Sequence, residues 1–314
     1  MLAIEANRLS RTFSARGPRG ARRTIRAVHD ITLAVERGER LAYIGPNGAG
    51  KSTSIKMLTG ILHPSTGEAR VLGLVPWRQR RELAARIGTL FGQRSQLWFE
   101  LPAREGFRLL ASIYRVEPEV ARRRVDELAE LLGARELFDR PVKSLSLGQR
   151  MRCELAASVL HSPEVLFLDE PTIGLDLIAK QRFRELLVRL NEEDGTTVLL
   201  TSHDTSDIEQ VARRAVVINH GRIIFDDKVS QLRRSALKTK LLEVRFEEGP
   251  ERVEVEGAEV LKASGAGYKL VVDTDVRPVR EVLDDLLDRY EVADISVTDP
   301  PLEQVISKIY EAKP

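Results

Sequence analysis

The stretch "RLAYIGPNGAGKSTSIKML", residues 40–58, decides how the chain is read. A short apolar strand (residues 40–45) runs into a glycine-rich turn, and a helical run follows through Leu58. Within it "GPNGAGKST", residues 45–53, matches G-x-x-x-x-G-K-[ST] in the strand–turn–helix setting that gives this pattern its specificity. Glycines let backbone N–H groups curl around phosphate oxygens, and the helix N-terminus adds partial positive charge. Gly45, Pro46, Asn47, Gly48, Ala49, Gly50, Lys51, Ser52 and Thr53 are therefore candidates for a nucleotide-phosphate loop. Lys51 can reach β- and γ-phosphates, and the Ser52 hydroxyl can ligate Mg²⁺.

A second motif complements it. "VLFLDEP", residues 165–171, is an unbroken apolar run ending in two acids. Asp169 closes a buried strand, where a carboxylate can hold Mg²⁺ through water, and Glu170 can polarise an attacking water. Phosphoryl transfer needs positioning and charge compensation more than covalent chemistry, so this small set suffices.

The rest of the chain bounds the possibilities. It has 314 residues, 42% of them hydrophobic and 31% charged, enough for two domains or one domain with an appendage. The 49 basic and 47 acidic residues leave a net charge of +2, too small to argue for nucleic-acid binding. The single cysteine, Cys153, excludes an internal disulfide and reads as a small buried helix residue. No apolar run approaches the ~20 residues of a membrane helix, and residues 1–13 lack the apolar stretch of a secretory signal. A soluble chain is expected, with any membrane span supplied by another protein.

Residues 1–12 and 27–35 alternate as strands do, around an arginine-rich turn with Arg16, Arg19, Arg22, Arg23 and Arg26. Strands are expected in "EARVLG" (68–73) and "RIGTLFG" (86–92), with a helix over 76–85 between them. Residues 102–160 are helical in period, with Leu109, Leu110 and Ile113 on one face and Val125, Leu128, Leu131 and Leu132 on another. "VLFLD" and "TVLLTS" (197–202) read as buried parallel strands, and "AVVINHGRIIFDD" (215–227) as a hairpin turning at His220-Gly221. A composition shift over 230–240 suggests a linker, followed by strands near 240–248, 268–274 and 293–299 and helices over 276–290 and 301–312.

With these motifs in hand, the chain resembles the ATP-binding subunit of an ABC transporter over roughly residues 1–227. The glycine loop corresponds to Walker A and "VLFLDE" to Walker B. "LSLGQ", residues 145–149, falls where the family's L-S-G-G-Q signature stands, with Leu147 replacing a glycine. Gln93 in "LFGQRSQ" matches the Q-loop glutamine, a ligand to Mg²⁺ and a catalytic helper. "IGLD", residues 173–176, matches the D-loop that ends in Asp176, His203 in "LLTSHD" matches the switch histidine, and Phe13 falls where an aromatic stacks on adenine. Tyr43 is an alternative aromatic, expected to be buried.

The resemblance implies an α/β fold: a P-loop NTPase cassette with a mixed sheet core, an antiparallel β subdomain and a helical subdomain, followed by a small C-terminal α+β domain. It implies a cassette over 1–229 (helical subdomain about 94–160), a linker over 230–240 and an accessory domain over 241–314. ATP and Mg²⁺ are the implied cofactors. Two cassettes pack head to tail, so Ser146, Gly148 and Gln149 touch the γ-phosphate held by the other chain. A separate membrane permease is the implied partner, with the chain on the cytoplasmic face of the membrane, and no nucleic acid is expected. "SQLWFELP" (95–102) places Trp98 and Phe99 as candidate anchors for that permease. The ending "VTDPPLEQVISKIYEA" together with "LFGQRSQLW" and "SLSLGQRMR" resembles cassettes of ABC-2 type exporters. An importer with a C-terminal regulatory domain is the alternative. An ABC ATPase acting on DNA or the ribosome is a third reading, against which stands the lack of a long coiled-coil insertion or a second cassette. Leu147 is expected in helical or β backbone angles, because a branched residue adopts positive φ only at a cost.

Overall fold

The computed structural model describes residues 1–16, 22–91, 95–234, 239–250 and 252–312. The chain forms two compact units, residues 1–227 and 228–313.

In the first unit the elements run β1 (Leu2–Arg16), β2 (Arg22–Glu36), β3 (Arg40–Ile44), α1 (Lys51–Leu58), β4 (Thr66–Val71), α2 (Arg80–Ala84) and β5 (Ile87–Phe91). They continue α3 (Ala103–Tyr114), α4 (Pro118–Leu131), α5 (Arg135–Phe138), a 3₁₀ turn (Val142–Ser144), α6 (Leu147–Val159) and β6 (Val165–Asp169). The last are α7 (Leu177–Asp194), β7 (Thr197–Thr201), α8 (Thr205–Val211), β8 (Arg214–Asn219) and β9 (Arg222–Lys228).

Two sheets form. One has the order β2-β1-β4 and is antiparallel throughout. The other has the order β5-β6-β7-β3-β8-β9, with every pair from β5 to β8 parallel. The β8–β9 hairpin turns at His220 and Gly221, both with positive φ (44° and 77°), the turn whose twist suits a two-residue connection.

The central strands read as apolar runs because both of their faces are covered. Leu166 and Leu168 of β6 and Val198 and Leu200 of β7 join one core with α3–α7, including Phe107, Phe138, Cys153 and Phe183. Val165 and Phe167 of β6 and Leu199 of β7 face a second core with Tyr43, Ile55, Met57 and the antiparallel sheet. Cys153 is buried, and the apolar surroundings push its thiol up to about 12.

Several expectations change. The first two strands reach further than the alternating pattern suggested, to Arg16 and from Arg22, because backbone pairing continues through Ala15↔Arg23 and Arg16↔Arg22. Arg19 lies outside the described residues. The helix expected over 76–85 shrinks to α2, since residues 76–79 form turns. Of the three residues expected on one face of α3, Leu110 is buried, while Leu109 and Ile113 are exposed.

An aromatic contact joins α3 to the turn after α6. Tyr114 of α3 stacks on His161, ring centroids 3.8 Å apart and 5° from parallel. His161 Nε2 lies 3.0 Å from the Ile87 carbonyl oxygen, which can only accept, so the proton sits on Nε2. Its Nδ1 is buried without a partner. Burial, with Arg124 nearby, holds the imidazole below its ordinary range. The folded state thus favours neutral His161, and its contribution is full above the unfolded value of about 6.5 and declines as pH falls from there toward the depressed value. His161→Phe should therefore show a flatter fall of Tm between pH 7.5 and 5.5 than wild type in thermal unfolding; an unchanged slope would mean other groups govern this window.

In the second unit the elements are α9 (Val229–Arg234), β10 (Thr239–Phe246), β11 (Ala258–Ser264), β12 (Gly267–Asp273), α10 (Val279–Arg289), β13 (Val292–Thr298) and α11 (Leu302–Ala312). The sheet order is β11-β12-β10-β13, antiparallel throughout. Leu242, Val244, Phe246, Leu270 and Val272 pack against Val282 and Leu286 of α10. The stretch read as a linker is helical over Val229–Arg234, and 235–238 lie outside the described residues.

Candidate functional site

The phosphate loop is shaped by β3 on one side and α1 on the other. Gly50 sits at φ 106°, just before α1, and a methyl group on it would stand 2.5 Å from the Ala27 carbonyl oxygen. Only glycine satisfies both the angle and the space. The loop closes on itself through Lys51, whose Nζ donates to the Gly45 carbonyl at 2.5 Å and the Pro46 carbonyl at 3.4 Å. An ammonium has three N–H donors, so one remains for an anion. Burial lowers the Lys51 pKa, while the nearby charges of Glu170 and Asp169 raise it back in part.

β6 delivers the two acids. Thr201 Oγ1, at the end of the neighbouring β7, donates to Asp169 Oδ1 at 2.8 Å. The Glu170 N–H donates to the same Thr201 hydroxyl at 2.9 Å. Glu170 has φ 53°, a left-handed angle that turns its side chain off the strand line toward His203. The His203 N–H donates to Glu170 Oε2 at 3.2 Å. His203 Nε2 lies 3.2 Å from Glu170 Oε1 and 3.1 Å from Asn47 Oδ1. The imidazole approaches Oε1 off the hydrogen-bond line, so Oε1 is buried with no hydrogen-bond partner. Burial pushes the Glu170 carboxyl above its ordinary range, with His203 and Lys51 pulling it partly back. A raised carboxylate is better suited to accept a proton near neutral pH.

These groups share one cleft of about 190 Å³. Pro46, Asn47, Gly48, Ala49, Gly50, Lys51, Ser52 and Thr53 line it together with Ala27, Asp169, Glu170 and His203. The fit to a nucleotide with a divalent cation is favourable. The Ser52 hydroxyl and the Asp169 carboxylate are hard oxygen donors of the kind Mg²⁺ takes. No cluster of three or more His, Cys, Asp or Glu able to hold a metal occurs among the described residues.

Ser146, Gly148, Gln149 and Asp176 do not line this cleft. Ser146 caps α6: its Oγ accepts the Gln149 N–H at 3.2 Å, and Gln149 Oε1 accepts the Ser146 N–H at 3.0 Å. This reciprocal capping box leaves the Ser146 O–H free to donate outward. Leu147 is the first residue of α6 and is absent from the positive-φ set, as the sequence led one to expect. Asp176 caps α7 by accepting the Ala179 N–H at 2.8 Å.

Phe13 sits half-buried on β1 opposite Ile25, with the Arg11 guanidinium 4.7 Å from its ring centroid, and does not line the cleft. Tyr43 is fully buried, its hydroxyl on Ser54 Oγ at 3.3 Å. Gln93 lies outside the described residues. The chain just after it is tethered to α6, since Glu154 accepts from the Ser95 hydroxyl and from the Gln96 N–H at 2.9 Å. From that tether Trp98 and Phe99 reach solvent, and the Arg150 guanidinium covers the Phe99 ring at 5.5 Å.

Three features had no sequence signal of their own. Ala27 lines the cleft from β2, Thr201 holds Asp169 and Glu170 together, and Asp207 of α8 anchors Ser202, which precedes His203. Asp207 is fully buried and accepts from Thr172 Oγ1 at 2.6 Å, Ser202 Oγ at 2.8 Å and Arg184 Nε at 2.7 Å. Thr172 follows Glu170 closely and Ser202 precedes His203, so one carboxylate ties the segments carrying both residues.

Comparison with known proteins is consistent with this geometry. Residues 28–173 match the ABC transporter family model. The ABC transporter ATP-binding protein NatA of Bacillus subtilis is 31% identical over 211 residues, covering 67% of this chain and 85% of that protein. The daunorubicin/doxorubicin resistance ATP-binding protein DrrA of Streptomyces peucetius is 35% identical over 260 residues, covering 83% and 77%. Among solved structures, an ATP-binding subunit of an ABC transporter superposes with a TM-score of 0.66 at 25% identity, covering 74% of this chain and 92% of that one. A dimeric ATP-binding cassette in a post-hydrolysis state, with ADP and Pi bound, gives 0.64 at 26% identity over 72% and 98%. Aligned over most of the length of these relatives, the chain belongs to the ABC transporter ATP-binding family.

Proposed function

We propose that this chain binds and hydrolyses ATP between two cassettes and drives export through a separate membrane permease. The observation that carries the reading is the single cleft in which Lys51, Ser52, Asp169, Glu170 and His203 meet. The export direction is supported by the resistance and transport relatives named above and by the ABC-2 resemblance of the sequence.

In this reading residues 1–229 are the cassette and 241–314 an accessory domain. The glycine loop binds the β- and γ-phosphates through its N–H groups, and Lys51 neutralises them. Ser52 and Asp169, with Gln93, would hold Mg²⁺, which when bound offsets phosphate charge during transfer. Glu170, whose carboxyl group lines the cleft, accepts a proton from the attacking water. His203, held between Glu170 and Asn47, orients the γ-phosphate side of the cleft. The second cassette contributes Ser146 and the N-terminus of α6, whose dipole favours the γ-phosphate. Phe13 is proposed to stack on adenine from β1. No helix among the described residues is long and apolar enough to cross a membrane. The permease therefore recruits the chain to the cytoplasmic face of the membrane, and the exposed pair Trp98 and Phe99 is the proposed contact.

Lys51→Ala should weaken ATP binding by roughly 10–100-fold, the range for loss of a charge-assisted hydrogen bond to a phosphate. Equilibrium titration with a fluorescent ATP analogue measures this, and unchanged affinity would remove the phosphate-loop assignment. Affinity purification from native membranes tests the direction. Recovery of a six-span membrane protein supports export, and a co-purifying solute receptor favours import.

A further inference from the structure

The start of α6 is interlocked with the loop that leads into α7. Gly148 lies so close to Gly174 that a methyl group on Gly148 would stand 2.5 Å from the Gly174 carbonyl oxygen. Gly174 is itself left-handed, at φ 79°. A methyl group on Gly174 would stand 2.7 Å from Leu147 Cδ2 and 3.0 Å from Leu147 Cγ. The leucine that replaces a signature glycine thus fills the space over the D-loop glycine.

Both flanks of that loop are already pinned. Thr172 is held on the buried Asp207 at 2.6 Å, and Asp176 is fixed as the cap of α7 at 2.8 Å. Between them Ile173 is 52% exposed, and Gly174 is the residue with the widest backbone freedom. Gly174 is therefore the soft point of the segment, exposed to solvent, and the Leu147 side chain packs against one side of it. Leu147 itself remains 42% exposed, so it is not an interior packing residue.

We propose that Leu147 is a positioning residue that locks the D-loop to the signature, so that seating Ser146 and Gly148 on the partner's nucleotide also places Asp176. This rests on the ATP-sandwich reading above. A residue at this place keeps its own N–H for the phosphate while its side chain works inward on Gly174. A glycine there would remove that side-chain contact with Gly174. Catalytic geometry is sensitive to displacements of about 1 Å, so a loosened D-loop acts on turnover rather than on nucleotide capture.

The test uses the full chain carrying Leu147→Ala or Leu147→Met, with the Glu170→Gln chain as the reference for dimer formation. For Leu147→Ala, kcat should fall about 10-fold, the middle of the usual range for coupling between two sites. KM for ATP should stay within about 2-fold, because the cleft that captures ATP is untouched, and the thermal midpoint should not move. Leu147→Met refills the space over Gly174 and should restore most of the rate. Wild-type kcat in Leu147→Ala overturns the proposal, as does a rate loss that follows a fall in thermal midpoint or is not rescued by methionine. If the Glu170→Gln chain forms no dimer with ATP, the sandwich reading falls, and this inference falls with it.

Discussion

Glu170→Gln is expected to slow ATP hydrolysis by roughly 10²–10³-fold, the usual worth of a positioned general base, while leaving ATP binding intact. The substitution is nearly isosteric. The Glu170 N–H keeps Thr201, and an amide oxygen can still accept the His203 N–H that now reaches Oε2. Lys51 and the loop carbonyls that hold it are not involved. What disappears is the basicity of the Glu170 carboxylate that lines the cleft. Water binds but is not activated, so the chain should accumulate as an ATP-bound dimer. Phosphate release under steady state and size-exclusion chromatography with ATP read the two halves of this result. Hydrolysis at the wild-type rate would place the base elsewhere.

Asp207→Ala is expected to destabilise the cassette strongly. It strips three donors of their acceptor and leaves Arg184, 5% exposed, without its principal partner. Breaking a buried ion pair from one side costs about 3–5 kcal/mol. For a unit of this size that corresponds to a fall of roughly 10 °C in Tm, measurable by differential scanning calorimetry. The pair is not wholly isolated, since Asp204 also approaches Arg184 at 3.5 Å and is itself held by Lys180 at 2.6 Å. The loss should therefore sit at the lower end of the range. Asp207→Asn, which keeps an acceptor for Thr172 and Ser202, should cost less than the alanine. Equal losses in the two variants would assign the stability to the charge alone.

The sequence was most legible where chemistry and backbone demand coincide. The loop from Gly45 to Thr53 carries its meaning locally, because the residues proposed to bind are also the residues that bend. β6 and β7 were legible for a different reason: burial on both faces forbids polar residues, so "VLFLD" and "TVLLT" admit few other readings. Signals failed where a role depends on a partner distant in sequence. Asp207 meets Arg184 and Thr172, 23 and 35 residues away, and no periodicity encodes such a meeting. Ala27 lines the cleft as a small strand residue, which carries no chemical mark. β11 was missed because its residues beyond Ala258 are exposed, so there is no alternation to read. Leu109 and Ile113 share helical spacing with Leu110, and spacing alone does not say which of a row turns inward.

The parallel sheet also partitions the cassette's interior. Side chains of β6 that point one way meet only the helical layer, and those that point the other way meet only the cluster under the phosphate loop. Substitutions accepted in α3, α4 and α5 are absorbed on the first side. They leave Ile55 and Met57, the floor beneath Lys51, undisturbed. A cavity opened among the side chains of the helical layer therefore has a strand wall between it and the cluster that holds Ile55 and Met57.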